Sequence, residues 1–377
     1  MWNPIGESEM KSYFKHQLKS YSRAIIIITA ITAMLCAILA GNAQPHEYSY
    51  LHVFLPTEVA LFALCLIIPA WMFSPLKKKN CLDCCYSFSI SKRALGLTHY
   101  LIGLIAVLVP FTAGYVCTLA VSAIRRIPIS FNLYLLYHFL LAAVAITVVY
   151  SIAVFAFEKA NSVFDGVVMI AVYMVALSII LDGAYSVYQG CVRLYFGHTI
   201  AETTGEDAIQ YFKYYYTGFN SDNGMPQYYF YCLLGAFEDS AQKISETPLN
   251  EFFAEIQNTV WLCAWIGIGV LSAFGAVRGF DCKNAEKASE ISDSVFAYKT
   301  LIPTVALTFA VGNGVFDDKT LYCGVATIAC FIAYIVYRRS TRLKKADVAV
   351  ISIMAIISAC SPFLYKLLLS GTVFETV

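Results

Sequence analysis

Nine long apolar segments, separated by shorter polar connections, form the dominant pattern of this chain. A helix of about 20 apolar residues crosses the roughly 30 Å hydrocarbon core of a bilayer. Backbone polar groups in lipid need internal partners, and these segments are too long for barrel strands. The pattern therefore predicts an all-α integral membrane protein, a polytopic bundle of about nine transmembrane helices. The predicted spans are residues 24–41, 51–73, 101–124, 133–157, 163–181, 259–277, 301–316, 320–337 and 348–369.

The seventh segment, residues 301–316, is the shortest and contains Pro303, Gly312 and Gly314. Proline has no backbone N–H and glycine weakens a helix, so this segment is either a full span or a broken, re-entrant helix. Whether it and residues 348–369 cross fully decides the side on which the C-terminus lies. With nine full crossings, the two ends of the chain lie on opposite sides.

The basic residues are distributed unevenly over the connections. If the N-terminus lies inside, the inner connections hold 19 of the 26 Lys and Arg residues. Inner loops of membrane proteins are enriched in these residues, so the bias predicts a plasma-membrane protein with a cytoplasmic N-terminus. Arg125 and Arg126, on the predicted outer side, are the local exception.

Residues 1–23, before the first span, have an amphipathic pattern. Lys11, Lys15 and Lys19 recur every four residues on one helical face, and large apolar side chains occupy another. We predict an interfacial helix on the inner membrane surface, with these lysines facing anionic headgroups. A solvated basic leader is the alternative. A cleavable signal fits less well, because the 24–41 segment exceeds the usual length of a signal core.

The composition, 59% hydrophobic and 14% charged, excludes several classes of protein. A disordered chain, a nucleic-acid binder with basic patches and an ordinary cytosolic enzyme all carry more charge. The sequence has no G-x-x-x-x-G-K-[ST] phosphate loop, no H-E-x-x-H and no G-x-S-x-G motif. We therefore expect no catalytic residues, no cofactor and no nucleic-acid partner for this chain.

The thirteen cysteines do not form a recognisable metal motif. Residues 81–85 read C-x-x-C-C, but no second ligand pair follows at a suitable spacing and His99 is the only candidate nearby. Zinc sites need four such ligands, so no metal site is predicted. Cys191 and Cys232 share an outer segment and are a possible disulfide, which sequence alone leaves open.

The inner loop after the second span carries the main functional signal. Its three lysines, residues 77–79, are expected to stop transfer and to lie at the headgroups. The loop resembles one of ABC-2-type permeases, of a group found in Gram-positive bacteria, in which Asp, three residues, Ser-Leu-Pro-Ile and basic residues follow each other. Ser89 stands where that pattern has Pro, Phe88 where it has Leu, and Lys92 where Arg is common. The matching positions are Asp83, Ser87, Phe88, Ser89, Ile90, Lys92 and Leu95.

A second patch, residues 278–289, is similar to the basic stretch that leads into Glu-x-Ala-Gly in the same family. Glu286 and Ala288 match that motif, and Ser289 replaces its Gly. The amphipathic leader resembles the elbow helix of such permeases.

The resemblance implies a transmembrane permease subunit of an ATP-binding-cassette transporter that works by alternating access. A separate nucleotide-binding subunit would hold ATP and Mg and would dock on the inner loops, and a second permease chain, identical or different, would complete the path. Most such relatives are exporters, so a hydrophobic, amphipathic or peptide cargo is expected, with cargo identity and direction open. The alternative interpretation of the matching residues is that they are topology signals and helix caps. The residues expected to contact the ATPase are Asp83, Ser87, Ile90, Lys92, Arg93 and Glu286.

The outer segment, residues 182–258, holds ten tyrosines and ten acidic residues. Tyrosine is enriched at membrane interfaces, and Thr247-Pro248 predicts the start of a helix that continues into the sixth span. This helical segment is either a folded interfacial cap or an outer gate for the cargo. The predicted organisation is a surface helix over 1–23, five spans over 24–181 with a coupling loop at 74–100, the extracellular segment, and four spans over 259–377.

Two functions from other classes compete with transport. An integral-membrane enzyme acting on lipid or polyprenol substrates would need clustered carboxylates or histidines at the membrane surface. Asp317-Asp318 is the only adjacent acidic pair in a short outer connection. A membrane sensor or assembly partner is the third interpretation.

Overall fold

The computed structural model describes most of the predicted spans and little of the outer segment. Within the described residues every regular element is helical, so the predicted all-α class is confirmed for this part of the chain. The described residues are 4–42, 51–77, 91–125, 133–177, 179–180, 248–280, 294, 296–314, 320–338 and 343–373.

Nine helices lie in the described residues, and each overlaps one predicted span. They are α1 (Pro4–Asn42), α2 (Leu51–Phe73), α3 (Lys92–Ile124), α4 (Leu133–Lys159), α5 (Val163–Leu177), α6 (Pro248–Gly279), α7 (Tyr298–Gly314), α8 (Thr320–Arg338) and α9 (Lys345–Val373). A short 3₁₀ turn, Pro75–Lys77, follows α2.

Several helices extend beyond the apolar run that predicted them. The leader and the first span belong to one helix, α1, so no helix end separates them at residue 24. Similarly, α3 begins at Lys92 rather than at residue 101. The predicted start at Pro248 is confirmed, and there the missing N–H of proline costs no helical hydrogen bond. Hydropathy locates the apolar part of a helix, whereas backbone hydrogen bonding continues through polar residues.

The seventh segment forms one continuous helix, α7, with Pro303 inside it. No break therefore interrupts the described part of this segment, and its full crossing stays a prediction. Since proline has no N–H, the carbonyl group of Lys299, four residues earlier, loses its helical donor. The hydroxyl group of Tyr334 on α8 donates to that carbonyl oxygen at 3.2 Å. A neighbouring helix thus compensates for the proline.

The outward surface of the helices is largely apolar. Three described helices are long and apolar enough to cross a membrane, namely Met10–Asn42, Lys92–Ile124 and Ala142–Lys159. Large exposed apolar surfaces mark regions that contact lipid or other proteins, so this surface is compatible with association with a membrane. Nine complete crossings stay a prediction. Exposed apolar side chains include Ile26, Val116, Phe164, Leu271 and Val336.

The chain divides into two compact units. Unit 1 comprises Met1–Tyr173 and Pro226–Ser292, and unit 2 comprises Met174–Met225 and Asp293–Val377. In unit 2, α7, α8 and α9 pack around a core of large and small apolar side chains. That core contains Ala306, Cys330, Tyr334, Tyr337 and Met354.

Glycines allow close helix packing inside unit 1. The helices α4 and α6 are in contact, and a Cβ atom on Gly269 would lie 2.8 Å from a Val148 methyl group. The pair α1 and α3 meets in the same way, because a Cβ on Gly114 would lie 2.9 Å from the sulfur of Cys36. Small residues at these positions let the helix backbones approach each other.

Candidate functional site

The two ends of the predicted coupling loop are joined to buried contacts in unit 1. Lys77 precedes the loop residues 78–90, and α3 begins directly after them. Three proposed ATPase contacts, Asp83, Ser87 and Ile90, lie outside the described residues, as does Glu286. Lys92 and Arg93 are described, and they lie in the first turn of α3.

The start of α3 presents these basic residues outward. Ser91 has an extended backbone, and its hydroxyl oxygen accepts a hydrogen bond from the Ala94 amide at 3.2 Å, which makes it the N-cap. Arg93 is exposed and Lys92 half-buried, whereas Leu95 is buried. A cation is unfavourable near a helix N-terminus, where the dipole is positive. The basic pair therefore does not stabilise the helix that it begins, which counts against a role as helix caps.

Behind this turn, α3 packs against the ends of α2 and α6. The ring of Phe280 occupies the space that a Cβ on Gly96 would need. Phe280 also stacks on Phe73, with 5.7 Å between ring centroids. His99, 4% exposed, lies next to Phe73 at 6.1 Å. We call Phe73, Leu95, Gly96, His99 and Phe280 the carboxyl anchor of the loop.

The leader part of α1 also reaches this anchor. The hydroxyl oxygen of Tyr13 lies 3.4 Å from Nε2 of His99, and Gln17 donates to that hydroxyl at 3.1 Å. Further along α1, Tyr21 packs edge-on against Trp71 of α2. We expected the apolar face of the leader to lie on the membrane surface, but these aromatic residues contact α2 and α3 instead.

The three lysines assigned to the membrane surface lie on the opposite side of α1. Lys11, Lys15 and Lys19 are all exposed, so they are available to anionic headgroups. The structure contains no lipid, and headgroup binding stays a prediction.

The other end of the loop has an anchor that the sequence did not reveal. Lys77 is 6% exposed, and its ammonium group donates to the carbonyl oxygens of Glu158, at 3.2 Å, and of Ala160. It also lies 5.1 Å from the centre of the Phe157 ring. The expectation that it sits at the headgroups is therefore wrong for Lys77.

The physical reason is the end of α4 at Lys159. The last four carbonyl groups of a helix have no amide donor within it, and the helix dipole is negative there. A buried ammonium group donates hydrogen bonds to these carbonyl groups and places a positive charge at the negative end of the dipole. We call Lys77 and its contacts with Glu158 and Ala160 the amino anchor of the loop.

The side chain of Glu158 is held close to the end of α6. It is 3% exposed, and its carboxylate pairs with the ammonium group of Lys159 at 3.0 Å. A Cβ atom on Gly279 would lie only 2.5 Å from that carboxylate. Glycine at this position therefore makes room for the ion pair beside α6.

A second unforeseen cap involves Arg125, one of the two residues of the local exception to the charge bias; Arg126 lies outside the described residues. Arg125, directly after α3, donates to the carbonyl oxygen of Ala40 at 3.1 Å, in the last turn of α1. Counting Lys and Arg residues treats each as a topology signal and gives no sign of such caps. No pattern in residues 77–79 distinguishes the buried lysine from its neighbours either.

The described part of the chain contains no group of three His, Cys, Asp or Glu side chains able to hold a metal ion. Cys191, Cys232 and the pair Asp317-Asp318 lie outside the described residues. The two anchors place the residues that flank 78–90 against α1, α2, α4 and α6.

Comparison with known proteins gives no relative, since no family model, no curated protein and no solved structure matches this chain. The resemblance to ABC-2-type permeases therefore depends on the motif residues themselves.

Proposed function

We propose that this chain is the membrane permease subunit of an ATP-binding-cassette transporter, driven by a separate ATPase subunit that docks on the 78–93 region. One observation carries the proposal. The first turn of α3 has Arg93 exposed and Lys92 half-buried, while the same helix contacts α2 and α1 through the buried His99, and α6 through Gly96. A push on this turn is therefore passed to α1, α2 and α6.

The charge of the turn favours an acidic or polar partner. Lys92 and Arg93 lie at the positive end of α3, where further positive charge is unfavourable. An anionic surface on an ATPase subunit would add a favourable contact and electrostatic steering during docking. Anionic lipid would offset the charge as well, so the experiment has to separate the two.

The remaining parts of the proposal follow from the family. ATP and Mg would be bound by the partner subunit, in agreement with the lack of a phosphate-loop motif in this chain. Two permease chains would form the path in the plasma membrane, with the N-terminus inside. The cargo would be hydrophobic, amphipathic or a peptide, and export is the expected direction.

The test is recovery of an ATPase subunit with the tagged full-length chain from its native membrane. In the double variant Lys92→Ala, Arg93→Ala we expect recovery to fall about tenfold or more, since contacts between charged groups contribute about 1.5–3 kcal/mol each. The matched control is Lys344→Ala, Lys345→Ala, which removes another exposed basic pair at a helix start. That control should recover the ATPase as the wild type does.

Two results contradict this proposal. If no protein with a Walker motif is recovered with the wild-type chain, the transporter assignment is wrong. If recovery is unchanged in the Lys92, Arg93 variant but its binding to vesicles containing phosphatidylglycerol falls, the pair binds lipid and the docking site lies elsewhere.

A further inference from the structure

Helix α1 stays beside α3 over most of its length. Near the start of α1, Tyr13 contacts His99 of α3. Further along, Cys36 lies against Gly114, and the last turn of α1 receives a hydrogen bond from Arg125. The two helices therefore run side by side in the same direction for about 40 Å, close to the full thickness of a bilayer. A leader that stays beside α3 in this way cannot lie flat on a membrane that α3 crosses.

The leader packs through its aromatic side and turns its basic side outward. Tyr13 meets α3, and Tyr21 meets Trp71 of α2. The basic residues lie two positions away from these tyrosines, which is about 200° around the helix axis, so they face away from the neighbouring helices. We call these four exposed residues the basic row; they are Lys11, Lys15, Lys19 and Arg23.

The outward surface of α1 changes from basic to apolar within one turn. The basic row ends at Arg23, whereas Ile26 and Ile27 are 66% and 59% exposed. Large exposed apolar side chains continue from there to Leu39. The stretch from Arg23 to the end of the helix at Asn42 has about 20 residues, the length that crosses roughly 30 Å of hydrocarbon. Arg23 therefore marks the edge of the apolar region on this helix.

A phospholipid has both parts that this surface would contact. Side chains four residues apart are neighbours, and like charges at that spacing destabilise a helix, so an anion beside the basic row is favourable. Along the axis, Lys19 lies about 6 Å and Lys11 about 18 Å from Arg23. The headgroup layer on each side of a bilayer is roughly 5–8 Å thick, so it reaches Lys19 and ends before Lys11.

We propose that the outward side of α1 binds an anionic phospholipid, with the phosphate group on Lys19 and Arg23 and an acyl chain against Ile27. The contribution of each basic residue should then fall with its distance from Arg23, to Lys15 at the edge of the headgroup layer and to Lys11 beyond it. A helix lying on the membrane surface would instead place the three leader lysines at the same depth. Such a lipid site does not require the proposed transport function.

The test uses the full-length chain in vesicles of equal parts phosphatidylglycerol and phosphatidylcholine, with the photoreactive residue p-benzoylphenylalanine in place of Ile27. Irradiation attaches the neighbouring lipid, and mass spectrometry identifies its headgroup. We expect phosphatidylglycerol in about tenfold excess, because each basic residue near the surface strengthens the binding of anionic lipid about fivefold. The control position is Ile328, exposed in the middle of α8, which should capture the two lipids about equally.

Substitutions in the basic row then test the graded contribution. In the variant Lys19→Gln, Arg23→Gln, the excess captured at Ile27 should fall below about twofold. Lys11→Gln removes an equally exposed charge of the same row and should change the excess by less than about twofold. Arg23→Lys keeps the charge and should keep the excess.

Four results contradict the lipid site. Equal capture of both lipids at Ile27 in the wild-type background overturns it, as does capture of a protein there. An excess that survives Lys19→Gln, Arg23→Gln would assign the lipid to other residues. If Lys11→Gln lowers the excess as much as that variant does, the leader lies along the membrane surface. Should the double variant not fold, Lys19→Gln and Arg23→Gln are measured singly, each with an expected fall of about fivefold.

Discussion

In both units, helix carbonyl groups without an amide donor are satisfied by side chains, but the two side chains differ in charge. Each contains helix carbonyl groups that lack an amide donor and receive a hydrogen bond from a side chain far away in sequence. In unit 1 the donor is the ammonium group of Lys77, which serves the end of α4. In unit 2 it is the hydroxyl group of Tyr334, which serves the Lys299 carbonyl left without a donor by Pro303.

The difference lies in what each donor costs when it is buried. Tyr334 is 1% exposed but neutral, and most of its surface is an apolar ring that belongs to the core of unit 2. Lys77 is buried and charged, so its desolvation has to be offset by the carbonyl groups. In unit 2 a neutral hydroxyl group is sufficient to satisfy the carbonyl group. In unit 1 a buried ammonium group does so, next to the loop whose sequence resembles that of the permeases.

Two glycines, one from each unit, differ in their tolerance of a side chain. A Cβ on Gly103 in α3 would overlap the hydroxyl group of Tyr150, which donates to the Tyr100 carbonyl at 3.0 Å. Gly324 in α8 has no atom within 4 Å of its Cβ position, so it is not needed for packing. The polar contact beside Gly103 is therefore expected to be more sensitive to substitution than the surface at Gly324.

The largest effect is expected from Gly103→Ala, which should lower the free energy of unfolding by about 3 kcal/mol, through overpacking and loss of the Tyr150 hydrogen bond. Its matched control, Gly324→Ala, should raise stability by about 0.5 kcal/mol, because alanine favours an exposed helix position. Both are measured by denaturant unfolding in detergent micelles. Equal changes in the free energy of unfolding for the two variants would contradict the expected difference between Gly103 and Gly324.

An intermediate effect is expected from Lys77→Met. Loss of the ammonium group leaves buried carbonyl oxygens without donors, so the free energy of unfolding should fall by about 2 kcal/mol. Lys345→Met, at an exposed lysine, should change it by less than about 0.5 kcal/mol. The same micelle unfolding assay applies. Wild-type stability in Lys77→Met would mean that water reaches these carbonyl groups and that the amino anchor is weak.

The smallest effect, about 1 kcal/mol, is expected from Tyr334→Phe, which removes one neutral hydrogen bond. Pro303→Ala returns an amide N–H to the Lys299 carbonyl, so in that background the loss should fall below about 0.5 kcal/mol. A double-mutant cycle, again by unfolding in micelles, measures this coupling. Additive effects of the two substitutions would show that Tyr334 does not compensate for the proline.

The positions of the helices were largely predictable from the sequence. The predicted span 51–73 agrees with α2 at both ends. The leader and the first span were expected as separate helices but form one, and α3 begins before its predicted span, because hydropathy falls where a helix leaves the apolar region while its backbone hydrogen bonds continue. The interpretation of 301–316 as broken allowed for the missing N–H of Pro303 but not for a hydroxyl group supplied by another helix.

The candidate site was predictable in part. The placement of Lys92 and Arg93 at the end of the loop follows from the sequence, and the structure adds that they begin α3. The role of Lys77 did not follow, because its partners are 81 and 83 residues away and nothing local distinguishes it from the next two lysines. The cap that Arg125 provides did not follow either, because its partner Ala40 is 85 residues away.

By itself, the sequence determined that the chain is helical and apolar, where its helices lie and which of its few charges adjoin the long helices. These properties depend on local composition and periodicity, which each segment carries alone. Tertiary structure decided which charges are buried, which carbonyl groups they serve and how a proline is tolerated inside α7. Those outcomes depend on groups brought together from distant parts of the chain, and the cost of burying a charge or leaving a carbonyl group without a donor selects among them.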